Sequence, residues 1–260
     1  MKNNVERMIM TAMMTALIAA MTAVVAIPVP FTNGYIHPGD SMVFLAVLAL
    51  GWRRGAVAAG LGSALADVFL GFVFWAPWTL LIKGCMAMTA GLIMEKCRDS
   101  RRNVAISCGA TALLWLLFNV VVQAVVAYAA NSSPASLAQA LGAAEAGALG
   151  AALGSVQSQL MLAALLIPVG LAAAAFALRR KEGVSVPLGH VVGMTGGGLL
   201  MVFGYYLAGG LIYGNFAVSA LGIPANMLQF VGGFLIAALL SAALQRTPAG
   251  RRFALGPKSP

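Results

Sequence analysis

Asp67 and Lys83 stand inside apolar stretches of this 260-residue sequence, and that placement is its strongest chemical signal. Ionisable groups at membrane depth are costly and mark functional sites by default. Around them, Tyr35, His37, Asp40, Trp75 and Trp78 fall in the connections on one side of the same stretches. Two opposite charges beside aromatic and polar loop residues read as the floor and rim of a pocket for a small molecule. A second constellation lies further along. Asn226 and Gln229 are three apart and share a helix face, just after Pro224, where a helix is expected to start. Tyr205 and Tyr206 precede them, with Asn215 in the loop between. Amides and phenols suit a neutral, hydrogen-bonding, aromatic ligand. Each group also has a plainer reading. Asp67 with Lys83 could be a structural ion pair that fixes helix packing, and the amides could be interhelical glue.

The elements that must position these residues are helices in a bilayer. The chain is 61% hydrophobic and 9% charged, with a mean hydropathy of +0.91, far from the charge content of a soluble domain. Apolar runs fall at 8–27, 39–50, 55–72, 78–94, 104–130, 149–178, 188–213 and 224–244. At roughly 20 residues per span these predict an all-α, polytopic membrane protein of about eight segments. The run at 39–50 is short, since twelve residues cover roughly 18 Å against about 30 Å of hydrocarbon. It predicts either a recess on the Asp40 side or a helix that continues into a buried loop. The first run is read as a retained span rather than a signal peptide, because it lacks a clear A-x-A cleavage site.

Basic residues set the orientation. If the segments alternate, Lys and Arg all fall on one side, in the turns around 53–54, 96–102 and 179–181 and in the basic tail 245–260. Only Lys83 is left over, inside a span. By the positive-inside rule that side is cytoplasmic, with both termini on it. Asp67 lies twelve residues beyond Gly55, roughly 18 Å, and Lys83 fourteen residues before Cys97, roughly 21 Å. That puts them at similar depth on consecutive antiparallel helices. The net charge of +9 therefore reports topology and gives no case for a nucleic-acid partner.

Other chemistries are excluded or weak. The three cysteines, Cys85, Cys97 and Cys108, contain no CxxC and predict neither a disulfide framework nor a zinc site. Lone histidines build no metal site, and no cofactor is expected. The absence of a phosphate loop and of hydrolase motifs argues against ATP hydrolysis and against an enzyme. Ala12, Ala16 and Ala20 repeat at spacing four and form a small-residue face for close helix approach, either to a partner or within the monomer. Gly55, Ala59 and Ser63 form a second such face that continues to Asp67. Asn119 with Gln123, and Gln157 with Gln159, read as packing within a hairpin.

The run NGYIHPGDSMVFLAVLALGWRRGAVAAGLGSALADVFLGFVFWAPWTLLIKG and the later run GGGLLMVFGYYLAGGLIYGNFAVSALGIPANMLQFVGGFLIAALL resemble the substrate-binding S component of energy-coupling factor (ECF) vitamin transporters. The likeness is to the branch associated with riboflavin, hydroxymethylpyrimidine and pyridoxine uptake. The resemblance implies a membrane-embedded subunit that captures a water-soluble vitamin or precursor from outside. Two ABC ATPases and a transmembrane coupling subunit would supply the energy. It implies that Ala12, Ala16 and Ala20 meet the coupling subunit, and that Tyr35, His37, Asp40, Asp67, Trp75, Trp78, Lys83, Tyr205, Asn215, Asn226 and Gln229 form the ligand region. The family commonly has six helices. Here 8–95 and 188–244 match that core, and 104–178 is expected to be an inserted transmembrane hairpin. Two other classes remain open: a stand-alone proton- or cation-coupled carrier using Asp67, and a non-transporting membrane scaffold.

Overall fold

The computed structural model describes residues 2–29, 34–98, 100–132 and 187–245, together with isolated positions between 138 and 173. Helix α1 (Lys2–Val24) is followed by strands β1 (Ile27–Val29) and β2 (Gly34–Ile36), then α2 (Gly39–Leu50), α3 (Trp52–Phe69) and α4 (Ala76–Cys97). After α5 (Arg101–Ser132) come α6 (Leu188–Tyr213), α7 (Phe216–Ala220) and α8 (Ile223–Gln245). Helices long and apolar enough to cross a membrane lie at Asn4–Val24, Ala76–Cys97, Arg101–Ser132, Leu188–Tyr213 and Phe216–Leu244 among the described residues. The chain is an all-α polytopic membrane protein. Its outward surfaces carry Met8, Leu81, Leu117, Val120 and Leu239, all exposed, as lipid-facing helices require.

Short α2 behaves unlike the spanning helices. Nearly every residue from Gly39 to Leu48 is buried, because α2 is enclosed by α1, α3, α4 and α8. Its continuous apolar run is thus the mark of a central element rather than of a lipid-exposed one. Gly51, at φ 78°, turns the chain sharply from α2 into α3. That left-handed conformation is open to glycine at little steric cost.

Glycines set the spacing elsewhere. A Cβ at Gly197 of α6 would stand 2.6 Å from the Met86 carbonyl oxygen of α4, and one at Gly62 of α3 would stand 2.6 Å from the Thr15 carbonyl oxygen of α1. Such close backbone approach is the packing mode expected between membrane helices, which lack a hydrophobic drive to associate. Gly55, Ala59 and Ser63 are buried in the same way, whereas Ala12, Ala16 and Ala20 lie on the exposed face of α1.

The strands add an element absent from the all-helical expectation. Ile27 pairs with Ile36, Pro28 with Tyr35 and Val29 with Gly34 in an antiparallel ladder. Pro28 supplies no backbone donor, which is tolerated in a short edge ladder of this kind. This hairpin sits at the start of α2 and aims Tyr35 and His37 inward.

Helix α5 packs against α6. The Phe118 ring meets Phe203 edge-on at 5.6 Å and Tyr206 at 5.5 Å. Gln123 Nε2 donates to the Gln157 carbonyl oxygen at 3.0 Å, joining α5 to the helical residues at 157–162. Most of 133–186, where the loop and second arm of the hairpin are expected, and the basic tail at 246–260 lie outside the described residues.

Candidate functional site

The buried ion pair is Lys83 with Asp40, not Lys83 with Asp67. The Lys83 ammonium donates to Asp40 Oδ1, and both side chains are wholly buried. The sequence pattern assigns Asp40 to a connection. It is in fact the second residue of α2, and because α2 is short its N-terminus lies deep, level with Lys83 on α4. Close approach of α8 seals the contact: a Cβ at Gly233 would stand 2.7 Å from Asp40 Cβ. Lys83 Nζ also lies 3.0 Å from Met201 Sδ and 5.4 Å from the centre of the Tyr205 ring.

Asp67 takes a different partner. The Tyr35 hydroxyl donates to Asp67 Oδ1 at 2.7 Å, linking the β-hairpin to the end of α3. Burial raises the Tyr35 phenol well above its ordinary pKa, and the hydrogen bond and negative charge of Asp67 push it the same way. Phe72 packs on the Tyr35 ring at 4.7 Å. The Tyr205 hydroxyl donates to Thr79 Oγ1 at 3.2 Å, and the Thr79 hydroxyl in turn approaches Asp67.

Gln229 ties this layer together. Its Nε2 donates to Asp40 Oδ2 at 3.0 Å, and its Oε1 accepts from the His37 backbone N–H at 3.1 Å. His37 Nδ1 accepts from the Gly39 N–H at 3.1 Å, so that nitrogen is unprotonated. Burial pushes the His37 imidazole down to about 3. The nearby Lys83 charge acts in the same direction, and Asp40 opposes it.

Above this floor is a cavity of about 60 Å³, lined by Tyr35, His37, Asp67, Trp75, Tyr205, Asn226 and Gln229 among others. Seven of the residues singled out in the sequence therefore converge on one space. Asp40 and Lys83 lie beneath the lining as its support. Trp78 packs against the core instead. Asn215 is a helix cap, its Oδ1 accepting from the N–H groups of Ala217 at 3.0 Å and Val218 at 3.2 Å. Such a cap satisfies donors that a helix start leaves free. Tyr206 turns away toward Phe118 and Phe216.

The lining also includes residues that the sequence pattern does not single out: Val29, Tyr213, Ser219 and Gly222. Ser219 is buried, and its hydroxyl donates to the Tyr206 carbonyl oxygen at 2.7 Å. A Cβ at Gly209 would stand 2.5 Å from that hydroxyl oxygen. A phenol and a serine flanking Asn215 are the available signal, but α7, the short helix that folds them back, has no periodicity to announce it.

A second cavity of about 550 Å³ lies at the opposite ends of α2 and α4, lined by Trp52, Arg53, Arg54, Glu95, Arg98 and His190 among others. It holds the basic turns from which the orientation is read. No group of three or more His, Cys, Asp or Glu able to hold a metal ion occurs among the described residues.

A Pyrococcus woesei protein described as "Uncharacterized protein in gap 3'region" is 44% identical over 70 residues, covering 27% of this chain and 47% of that protein. The chain thus spans about half the length of this curated relative. No solved structure matches. The family model "ECF-type riboflavin transporter, S component" matches residues 2–155 and 136–246. With its membrane helices, its pocket of aromatic and amide side chains and this match along nearly its whole length, the chain belongs to the ECF-type riboflavin transporter S component family.

Proposed function

We propose that this protein is the substrate-binding subunit of an ECF-type importer, capturing a water-soluble vitamin or vitamin precursor in the cavity between the β-hairpin, α3, α4, α6 and α8. The observation that carries the reading is the convergence of Tyr35, Asp67, Trp75, Tyr205, Asn226 and Gln229 on one buried space in a chain of this family. Binding pockets combine apolar walls with a few placed polar groups, and this one has aromatic walls, a carboxylate and two amides.

In this reading the cavity opens to the outside and the arginine-bearing turns face the cytoplasm. Energy comes from a coupling subunit and two ABC ATPases on separate chains. The exposed Ala12, Ala16 and Ala20 stripe on α1 meets the coupling subunit, whose helix can approach closely over small side chains. Residues 104–178 form an added hairpin beside the six-helix core.

Reconstituted vesicles test this. Uptake of a candidate vitamin should require ATP and co-reconstituted ATPase and coupling subunits. Uptake driven by a pH gradient with this chain alone would instead identify a secondary carrier, with Asp67 as its proton or cation site.

A further inference from the structure

The cavity of about 550 Å³ at the opposite end of the bundle shares no lining residue with the cavity at Asp67. Four chain ends meet around it: the last turn of α2, the first turn of α3, the end of α4 and the first turn of α6. Its floor is apolar and buried, made by Val47, Leu48, Gly91 and Met94. Its rim is charged, with Arg53, Arg54 and Arg98 set against one acid, Glu95. Among the described residues the salt bridge is Lys83 with Asp40, so no carboxylate there neutralises these three guanidinium groups. Arg53 lies over the Trp52 ring, 4.9 Å from its centre, which anchors it at the mouth.

Converging arginines select the kind of anion. Their planar forks match the oxygens of a phosphate group, and they are less strongly hydrated than lysines. The start of α3 supports the same charge. It has no side-chain cap and no acid in its first turn. Arg53 and Arg54 stand there instead, where the positive end of the helix dipole disfavours a cation. A phosphate between them relieves that repulsion.

The face of α3 beyond Arg53 identifies the rest of the ligand. Val57, Leu61 and Leu65 follow at spacing four, and all are exposed. From Arg53 to Leu65 the helix rises roughly 18 Å, close to the roughly 15 Å of hydrocarbon in one leaflet. A free anion makes no contact with such a track, whereas a lipid has an acyl chain to lay along it.

We propose that this cavity seats the phosphate headgroup of an anionic phospholipid from the adjoining leaflet, with Arg53, Arg54 and Arg98 on the phosphate and an acyl chain along Val57, Leu61 and Leu65. Basic pockets between membrane helices hold such headgroups. The lipid braces four chain ends and stabilises the bundle by binding its folded form. The site stands or falls apart from the vitamin-binding reading.

Native mass spectrometry of the full-length protein, delipidated in detergent and titrated with lipid, tests this. The probes are phosphatidylglycerol, phosphatidylcholine with the same acyl chains, and glycerol 3-phosphate, which carries the phosphate without a chain. Phosphatidylglycerol should bind roughly tenfold or more tightly than phosphatidylcholine, and glycerol 3-phosphate at equal concentration should not displace it. Arg53→Gln with Arg98→Gln should weaken phosphatidylglycerol roughly 25-fold, at roughly fivefold per basic residue, and leave phosphatidylcholine unchanged. Arg101→Gln with Arg102→Gln removes the same charge outside the cavity and should change little. All four arginines are exposed, so both variants should keep the wild-type melting temperature in lipid-free detergent. The wild-type comparison needs no variant and stands even if one fails to fold. Equal affinity for the two lipids overturns the proposal. An equal loss in the two variant pairs does the same, because it reports unspecific surface charge. Displacement by glycerol 3-phosphate assigns the cavity to a free phosphate ester and overturns the lipid.

Discussion

Gln229 Nε2 donates to Asp40 Oδ2 at 3.0 Å across 189 residues of chain, from the last helix to the first turn of the short helix α2. This bond makes the cavity floor a joint product of both ends of the sequence. It also means that Gln229 serves two tasks, since the same side chain lines the cavity.

Asn226 and Gln229 should therefore separate on substitution. Asn226 is half-buried and lines the cavity, so Asn226→Ala is expected to lower ligand affinity with little change in melting temperature. Gln229→Ala should lower both, because it also strips Asp40 and the His37 backbone of partners, at about 1–3 kcal/mol for each buried group left unsatisfied. Paired calorimetric and thermal-melt measurements on the two variants check this. Unchanged affinity in the double variant would remove both from the ligand site.

Lys83→Met should destabilise the protein by roughly 3–5 kcal/mol, because it leaves the Asp40 carboxylate buried and unpaired. Adding Asp40→Leu should recover most of the loss, since replacing a whole buried pair with apolar groups is often neutral. Melting temperatures of the single and double variants in detergent measure the recovery.

The pH dependence follows from His37. Its folded-state pKa is depressed to about 3 against an unfolded value of roughly 6.5. Between these values the unfolded chain binds the extra proton, so the contribution is fully present above about pH 6.5 and is lost as pH falls toward 3. The slope is up to about 1.4 kcal/mol per pH unit for one proton. Melting temperatures from pH 8 to pH 4 should fall on the acid side, and His37→Asn should flatten the part of that fall owed to the imidazole. Lys83, Asp40 and Tyr35 surround the ring and stay in place in that variant.

Gly233 and Gly232 form a matched test of the α2–α8 contact. A Cβ at Gly233 would run into Asp40, whereas one at Gly232 meets nothing within 4 Å. Gly233→Ala should cost about 1–3 kcal/mol through overpacking, and Gly232→Ala should be neutral or mildly stabilising, since alanine favours helix more than glycine does. Chemical or thermal unfolding of the two variants distinguishes them.

Ala16→Phe should block association with the coupling subunit and abolish ATP-driven uptake while leaving ligand affinity unchanged. Ala16 is exposed on α1, away from the cavity lining. Co-purification of the subunits, set beside calorimetry of the isolated chain, reads the two effects separately.

The membrane class and most helices are legible in the sequence because hydrophobic runs of bilayer length rarely arise in soluble folds. The run at 39–50 matches α2 as Gly39–Leu50, and that at 188–213 matches α6 as Leu188–Tyr213. Partner choice in the buried charge layer is not legible. Rise per residue gives depth along one helix, so it places Asp67 and Lys83 together, but it says nothing of how deep a short helix is set between its neighbours. Asp40 takes Lys83 because α2 begins inside the bundle. The β1–β2 ladder escapes notice because three-residue strands carry too little alternation to stand out beside long apolar runs. Asn215 and Trp78 share the composition of ligand contacts, but local backbone geometry gives one to a helix cap and the other to core packing.

The shortness of α2 has an electrical consequence. A twelve-residue helix covers roughly three fifths of the hydrocarbon thickness, and Asp67 lines the cavity beyond its first turn. If this cavity opens to the outside, a cation seated against Asp67 has already crossed part of the membrane voltage. A full crossing is worth about 2.3 kcal/mol per charge per 100 mV. An inside-negative potential would then draw a ligand that carries a positive charge toward its seat and leave a neutral one unaffected.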